Sequence, residues 1–487
     1  MERDLGSELS ISDPGSAVTT RRPLPHRRVI AAVAAALLLS SCTAGATADD
    51  GVAGSGGVGD PLFPSLGNGG YHVIHYGLDL AYDVPKRNLT ASADITAKAK
   101  ESLRSFKLDL QGLKVTGVQV DGAPAGFSRK GHKLTVTPAA VLERGAIFHA
   151  RVTYYGTPQE IRDPDSSTEG WVKTADGAFV TGEPEGSMSW FPGNNHPSDK
   201  ATYDFTLTVP VPYTAVANGE LRSRRTTGGR TTFVWHSGQP MASYLATATI
   251  GKFRVTESRT PDGLPLYEAV DPAEVARSKE ALGRLPEIIA WERRLFGPYP
   301  FRSAGAIVDH TPPRIDWLAL ENQTKPDYAG APDDLTVVHE MSHQWFGDSV
   351  TPKTWQDTWL NEGFATYVEW MWSQHEGGRT PQQLFDLLYQ RGRNDPLWAF
   401  PPGRPGTAAN VTGPPVYYRG AMVLQQLRDA VGDRTFFRIL REWAAKYRYG
   451  NADSADFIAF SQARTHKNLK PLFDAWLYGK GKPDRTF

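Results

Sequence analysis

A predominantly β domain followed by a mostly helical one is what the sequence predicts, and three observations carry that reading. From Tyr71 onward apolar and polar residues alternate, which places one face of each strand on a core. In the second half the apolar spacing lengthens to that of helices, with Gly or Pro close to most ends. The 487 residues suffice for two or three domains at roughly 100–200 residues each. With 40% hydrophobic and 22% charged residues, each domain has the material to bury a core.

The elements follow in chain order. Arg21, Arg22, Arg27 and Arg28 precede an unbroken apolar run from Val29 to Leu39, then Ser40-Ser41-Cys42. A basic region, a short apolar stretch and small residues make a secretory signal over residues 1–41, too short to span a membrane stably. Leu39-Ser40-Ser41-Cys42 resembles the lipobox of bacterial lipoproteins. That resemblance implies a lipid on Cys42 and an extracytoplasmic protein tethered to the bacterial membrane; cleavage after Ala46 or Ala48 would give a secreted form instead. Arg27-Arg28 also fits twin-arginine export. No other long apolar run predicts a membrane-spanning helix. Thr43 to Gly59 is rich in Gly, Ala, Ser, Thr and Asp, so residues 42–67 are expected to form a flexible tether.

Residues 68–255 read as the β domain. Its strands are expected at 71–83, 91–99, 106–110, 115–120, 134–136, 147–155, 203–209, 232–236 and 244–250, separated by turn signals such as Asp121-Gly122 and Gly228-Gly229. Residues 256–487 read as the helical domain, with helices at 273–296, 333–346, 362–375, 381–392, 419–431, 434–447 and 455–465. A cleft is expected where the two domains meet.

Charge and cysteine content narrow the chemistry. Lys+Arg 53 against Asp+Glu 53 leaves no net charge, which excludes a nucleic-acid binder that depends on a basic excess. Cys42 is the lone cysteine, so a thiolate metal cluster and an intramolecular disulfide are both excluded. Any metal falls to His, Asp and Glu.

One motif stands out, His339-Glu340-Met341-Ser342-His343. On a helix, residues four apart share a face, so both imidazoles aim at one point about 2 Å away, the distance zinc needs. Glu340 sits about 100° round the helix and is placed to reach a water at that point. Asp333 or Asp334 can cap this helix, Gly347 follows it, and Val337, Val338, Met341, Trp345 and Phe346 surround the pair, so the imidazoles are expected to be buried and partnered. A catalytic zinc also needs a third protein ligand and an open position. Glu362, at the start of the next predicted helix, competes for that role with Asp348, Asp357 and Glu369.

His339-Glu340-Met341-Ser342-His343, followed after eighteen intervening residues by Glu362 within Asn361-Glu362-Gly363-Phe364-Ala365, resembles the zinc signature of the aminopeptidase N family of metallopeptidases, gluzincins that include leukotriene hydrolase. The resemblance covers roughly residues 62–487 and implies a saddle-like antiparallel β sandwich followed by a thermolysin-like α+β catalytic domain. It implies one zinc per chain on His339, His343 and Glu362, with Glu340 as general base. Trp317-Leu318-Ala319-Leu320-Glu321-Asn322 is similar to the family's Gly-Ala-Met-Glu-Asn segment, with Leu318 and Leu320 at the Gly and Met positions. Glu321 and Asn322 are thereby expected to bind substrate, Glu321 through its α-ammonium. Glu183-Pro184-Glu185-Gly186 resembles the loop that supplies a second amine anchor, Glu183 by register and Glu185 as the competing choice. Tyr417-Tyr418-Arg419-Gly420-Ala421 resembles Tyr-x-Lys-Gly-Ala and implies oxyanion stabilisation by Tyr417, with Tyr418 the alternative.

Together these imply a zinc aminopeptidase acting on peptides with a free N-terminus. An open-cleft endopeptidase and a non-catalytic peptide-binding lipoprotein are the competing expectations; Glu183 and Glu321 oppose the first, the intact Glu340 and ligand set the second. The sequence ends about 125 residues after Glu362, so the C-terminal helical domain of relatives is expected to be lacking.

Overall fold

The computed structural model describes residues 50–313, 315 and 319–485. The signal segment and Cys42 lie outside the described residues, as do Trp317 and Leu318.

Alternating burial along Tyr71–Asp83, Asn88–Ala99 and Ile147–Gly156 builds the large sheet of the β domain. Its strand order is 220–227, 230–242, 200–210, 71–83, 88–99, 147–156, 114–120 and 123–124. Neighbours run antiparallel except 200–210 beside 71–83, which pair in parallel. Inward residues such as Leu78, Leu80, Ile95, Phe205 and Trp235 form one buried core with a second sheet of 52–53, 103–109, 133–137 and 126–130. A third sheet, in the order 160–162, 168–173, 178–181, 248–251 and 214–217, carries the backbone toward Glu183. The strand expected at 244–250 is instead a 3₁₀ turn, Ser243–Leu245, followed by the strand Ala248–Gly251.

The tether expectation for 42–67 is corrected over its described part. Val52–Ala53 pairs in parallel with the strand at Leu103, and Phe63 and Leu66 are buried in the β core. Asp60 accepts hydrogen bonds from the backbone N–H groups of Leu62, Phe63 and Trp355, each at 2.8 Å. The small residues that looked like linker composition serve close approach. A Cβ on Gly51, whose φ is +61°, would sit 2.8 Å from the Arg104 nitrogen, a position open to glycine alone.

The catalytic half contains a five-stranded sheet in the order 254–259, 265–270, 304–308, 327–328 and 319–320. Periodicity could not show it, because Ala304–Val308 is buried along its whole length and so does not alternate. Around it lie α1 (Val275–Gly283), α2 (Leu285–Phe296), α3 (Asp334–Ser342), α4 (Trp359–His375), α5 (Pro381–Tyr389), α6 (Gly420–Val431), α7 (Asp433–Lys446), α8 (Ser454–Gln462) and α9 (Lys470–Trp476). The single helix expected over 273–296 is broken at Arg284, because Pro286 lacks a donor and disfavours helical geometry just before it. Apolar residues of α3, α4 and α6, among them Val338, Met341, Phe364, Val368, Val423 and Leu427, share the second core.

Candidate active site

The site begins with the N-cap of α3. Asp333 accepts from the Thr336 backbone N–H at 2.8 Å, and Val337, Val338 and Met341, fully buried, fix the helix rotation. That rotation turns His339 and His343 to the same side as the first turn of α4, where Glu362 lies. Glu362 Oε2 is 3.1 Å from His339 Nε2 and 3.6 Å from His343 Nε2. Ligands held about 2.0–2.1 Å from a tetrahedral zinc stand about 3.3 Å apart, so the three donor atoms fit that ion.

The other ring nitrogens are committed. His343 Nδ1 donates to the Phe346 carbonyl at 3.1 Å, and His339 Nδ1 pairs with Glu369 Oε1 at 2.6 Å. This fixes each ring with Nε2 turned inward, the arrangement in which an outer acceptor orients a ligating imidazole. Glu369 was weighed from sequence as a ligand; it is the residue that aims one. Its signal was present, since 362 and 369 are seven apart and so share a helix face.

The field at this point favours positive charge. Burial works against the charged imidazoles, yet Glu362 and Glu369 push His339 well above the usual histidine range, and Glu362 and Glu321 push His343 up to about 9. Against the same burial, His343 and His339 hold Glu362 down to about 2. A divalent cation meets that electrostatic demand, and the nitrogen-plus-carboxylate donor set suits zinc.

One cavity of about 420 Å³ is lined by Glu183, Glu321, Glu340 and Tyr417 together with the three ligand candidates. Oxygens of Glu183, Glu321 and Glu362 lie within 4.8 Å of one another. Burial, then Glu321 and Glu362, pushes Glu183 well above the usual carboxylate range; burial also raises Glu321. Burial holds Glu340 up at about 8 despite His339 and His343. Glu321 follows the short edge strand Ala319–Leu320, and its Oε1 accepts from the Tyr244 hydroxyl at 3.4 Å. Tyr244 also receives Asn361 Nδ2 at 3.4 Å, linking the Glu321 side of the cavity to α4; no sequence signal marked it.

Tyr417 lies in a π-helical turn, Pro415–Arg419, with its ring stacked 6.2 Å from that of His339. Burial and four surrounding carboxylates raise its phenol well above the ordinary value, so the hydroxyl stays a donor. Tyr418 is 42% exposed at the rim. Arg419 is fully buried, and its guanidinium donates to the carbonyls of Trp476, Ala475, Gly479 and Gly481 at 2.6–3.0 Å. It thereby caps α9 rather than facing the cavity. Gly363 and Gly420 touch backbone to backbone, an added Cβ on either lying 2.9 Å from the other's Cα.

The structure places one expected residue, Asn322, and three of the competing choices away from the cavity. Asn322, expected to bind substrate, is fully buried and donates to Asp327 Oδ2 at 2.6 Å; it shapes the turn behind Glu321 and does not line the cavity. Glu185, the competing choice, does not line the cavity; its backbone N–H donates to Glu169 at 2.9 Å. Asp357 is taken up by Ser454, accepting from its hydroxyl at 2.6 Å. Asp348 is fully buried and does not line the cavity.

Comparison with known proteins agrees with this geometry. Residues 72–245 match the Peptidase M1 N-terminal domain, and residues 316–476 match the Peptidase family M1 domain. The chain is 24% identical over 465 residues to glutamyl aminopeptidase of Mus musculus, covering 84% of this chain and 47% of that protein. It is 25% identical over 343 residues to tricorn protease-interacting factor F2 of Thermoplasma volcanium, covering 64% of this chain and 42% of that one. It thus spans about half the length of these curated relatives. Among solved structures, an M1 zinc metallopeptidase from Deinococcus radiodurans aligns with a TM-score of 0.80 at 27% identity, covering 88% of this chain and 99% of that one. A mutant two-domain M1 zinc metallopeptidase bound to L-arginine aligns with a TM-score of 0.82 at 28% identity, with the same coverage.

Proposed function

The chain belongs to peptidase family M1, and on that premise we propose that it is a zinc-dependent aminopeptidase, removing single residues from the free N-terminus of peptides. The carrying observation is the pair Glu183 and Glu321, whose carboxylates lie within 4.8 Å of Glu362 at the edge of the metal-ligand cluster. Two desolvated acids beside a metal site need a cation other than the metal, and a substrate α-ammonium supplies it. The glutamyl aminopeptidase relatives and the M1 zinc metallopeptidase neighbours support the reading.

His339, His343 and Glu362 would hold the zinc, with Glu369 and the Phe346 carbonyl orienting the two rings. Bound there, zinc supplies a Lewis acid that polarises the scissile carbonyl and acidifies water. Glu340 takes the proton from the attacking water and returns it to the departing amine. In the metal-free cavity burial raises its carboxyl, the direction that lets one group serve in turn as base and acid. The Tyr417 hydroxyl donates to the oxygen that gains charge as the carbonyl becomes tetrahedral. Glu183 and Glu321 fix the N-terminus so that only the first peptide bond reaches Glu340. An adjoining cavity that shares Glu183, Ala319 and Tyr417 has room for the first side chain.

The test compares a peptide with its N-acetylated form. Cleavage of the free peptide, lost on acetylation and abolished by Glu340→Gln with zinc retained, is expected. Equal cleavage of both forms overturns the exopeptidase assignment, and full activity in Glu340→Gln overturns the base.

For location, we infer from Arg27-Arg28, the Val29–Leu39 run and Cys42 an extracytoplasmic enzyme held to the membrane by lipid. Among the described residues no helix is long and apolar enough to cross a membrane. Fatty-acid labelling lost in Cys42→Ala supports the anchor; unlabelled, freely released protein refutes it.

A further inference from the structure

A second set of converging oxygens lies outside the catalytic cavity. Asp176 occupies the turn between strands Thr168–Lys173 and Ala178–Thr181 of the β domain. Asp271 and Asp309 follow the parallel-paired residues Val270 and Val308 at the ends of two neighbouring strands in the catalytic sheet. One carboxylate oxygen from each of the three lies within 4.8 Å of the others. Asp309 is 0% exposed, and neither of its oxygens has a hydrogen-bond partner among the described residues. Burying an unpaired carboxylate is costly, and placing it against two further acids adds repulsion.

The neighbouring cations are committed elsewhere. Arg277 and His310 both pair with Glu274, and the Lys252 ammonium lies over the Tyr213 ring. Among the described residues no ion pair reaches Asp176, Asp271 or Asp309. Asp176 Oδ2 accepts the Lys252 N–H at 2.9 Å and Asp271 Oδ1 the Ala273 N–H at 2.7 Å, which orients both side chains and leaves their second oxygens available. Asp309 is buried while the other two are only part-buried, so the donor set is all oxygen, anionic and open on one side to water. Hard cations with flexible, water-completed oxygen shells suit such a set; softer metals do not.

We propose that Asp176, Asp271 and Asp309 bind a calcium ion that ties the β-domain turn at 174–177 to the ends of the catalytic strands. The ion fastens the point where the chain leaves strand Ala304–Val308 for the segment leading to Glu321.

The test uses the full, zinc-loaded enzyme freed of calcium on a chelating resin. Thermal melts at constant ionic strength should show a saturable rise in Tm with calcium chloride, larger than with magnesium chloride, and calorimetry should show one calcium site. Asp309→Asn, which keeps shape and removes charge, should melt no lower than the calcium-free wild type and lose the calcium response. Asp176→Asn, on the open side, should lose it too and serves if the buried variant does not fold. A wild-type Tm indifferent to calcium, equal shifts with both ions, or an undiminished response in Asp176→Asn overturns the proposal; the first means that Asp309 is held as the neutral acid.

Discussion

Substituting alanine at Gly363 tests how α4 and the Pro415–Arg419 turn are spaced. The new Cβ would lie 2.9 Å from Gly420 Cα and carbonyl carbon and 3.3 Å from the Val416 carbonyl oxygen. These are backbone atoms, so no rotamer change relieves the contact, and α4 must part from the Pro415–Arg419 turn by roughly half an ångström or more to reach ordinary van der Waals separation. Overpacking of that kind costs about 1–3 kcal/mol, while alanine in a helix recovers about 1 kcal/mol relative to glycine. The net expectation is a loss of up to about 2 kcal/mol. Gly363 adjoins Glu362, and Gly420 stands three residues from Tyr417, so the same displacement opens the site; misplacement approaching 1 Å costs on the order of 100-fold in rate. Urea unfolding with kcat/KM on zinc-saturated enzyme reads both effects. Gly283→Ala is the control, because a Cβ there meets nothing within 4 Å; it should be neutral or stabilising. If Gly363→Ala matches wild type in stability and rate, the backbone contact does not set the spacing.

Three more outcomes are expected. Tyr417→Phe should lower kcat by roughly 100-fold or more, the scale of one lost oxyanion donor, with KM little changed, while Tyr418→Phe at the exposed rim leaves both unaltered; kinetics on one free-amine substrate checks the pair. Glu369→Gln should weaken zinc retention about 10–100-fold, measured by competition with a chromogenic chelator, because the carboxylate that aims His339 loses its charge. Lys200 donates to the Asp348 and Ser349 carbonyls from a fully buried position, and burial, only partly offset by Asp348, lowers it from 10.5 to about 7. Below about pH 7 both folded and unfolded forms carry this proton, and its burial cost is fully present; from there toward pH 10 only the unfolded chain keeps it. Wild type should therefore gain stability over Lys200→Met by up to about 1.4 kcal/mol per pH unit across that window, and a difference that stays flat refutes the shift.

The convergence of the two histidines was legible because helix geometry converts spacing into direction, whereas Glu362 was singled out by the resemblance. His339 and His343 are four apart on a capped, buried helix, so their convergence follows from the backbone alone. Glu183 follows from no such rule. It sits in a loop after strand Ala178–Thr181, and its approach to Glu321 across 137 intervening positions depends on the packing of two domains. Asn322 shows the opposite failure. A resemblance placed it beside the substrate, but adjacent residues leaving an edge strand point opposite ways, so when Glu321 turns into the cavity Asn322 turns toward Asp327. The stretch before Asp60 was misread because composition does not separate glycine used for freedom from glycine used for contact; Gly51 against Arg104 is the second kind.

Charge explains why the fold keeps its acids so close. Glu183, Glu321, Glu340 and Glu362 all face one cavity, and burial leads the causes that raise the first three. Such a cluster is unfavourable until positive charge enters, and two imidazoles oriented from behind are not enough to neutralise it. On the proposed function, a divalent ion on the His339, His343 and Glu362 side would satisfy one part of the cluster and a substrate ammonium between Glu183 and Glu321 the other. Selectivity for a free N-terminus would then follow from charge: an acetylated peptide delivers no cation, would leave the proposed anchors unpaired in a desolvated pocket, and would lose most of its transition-state stabilisation there.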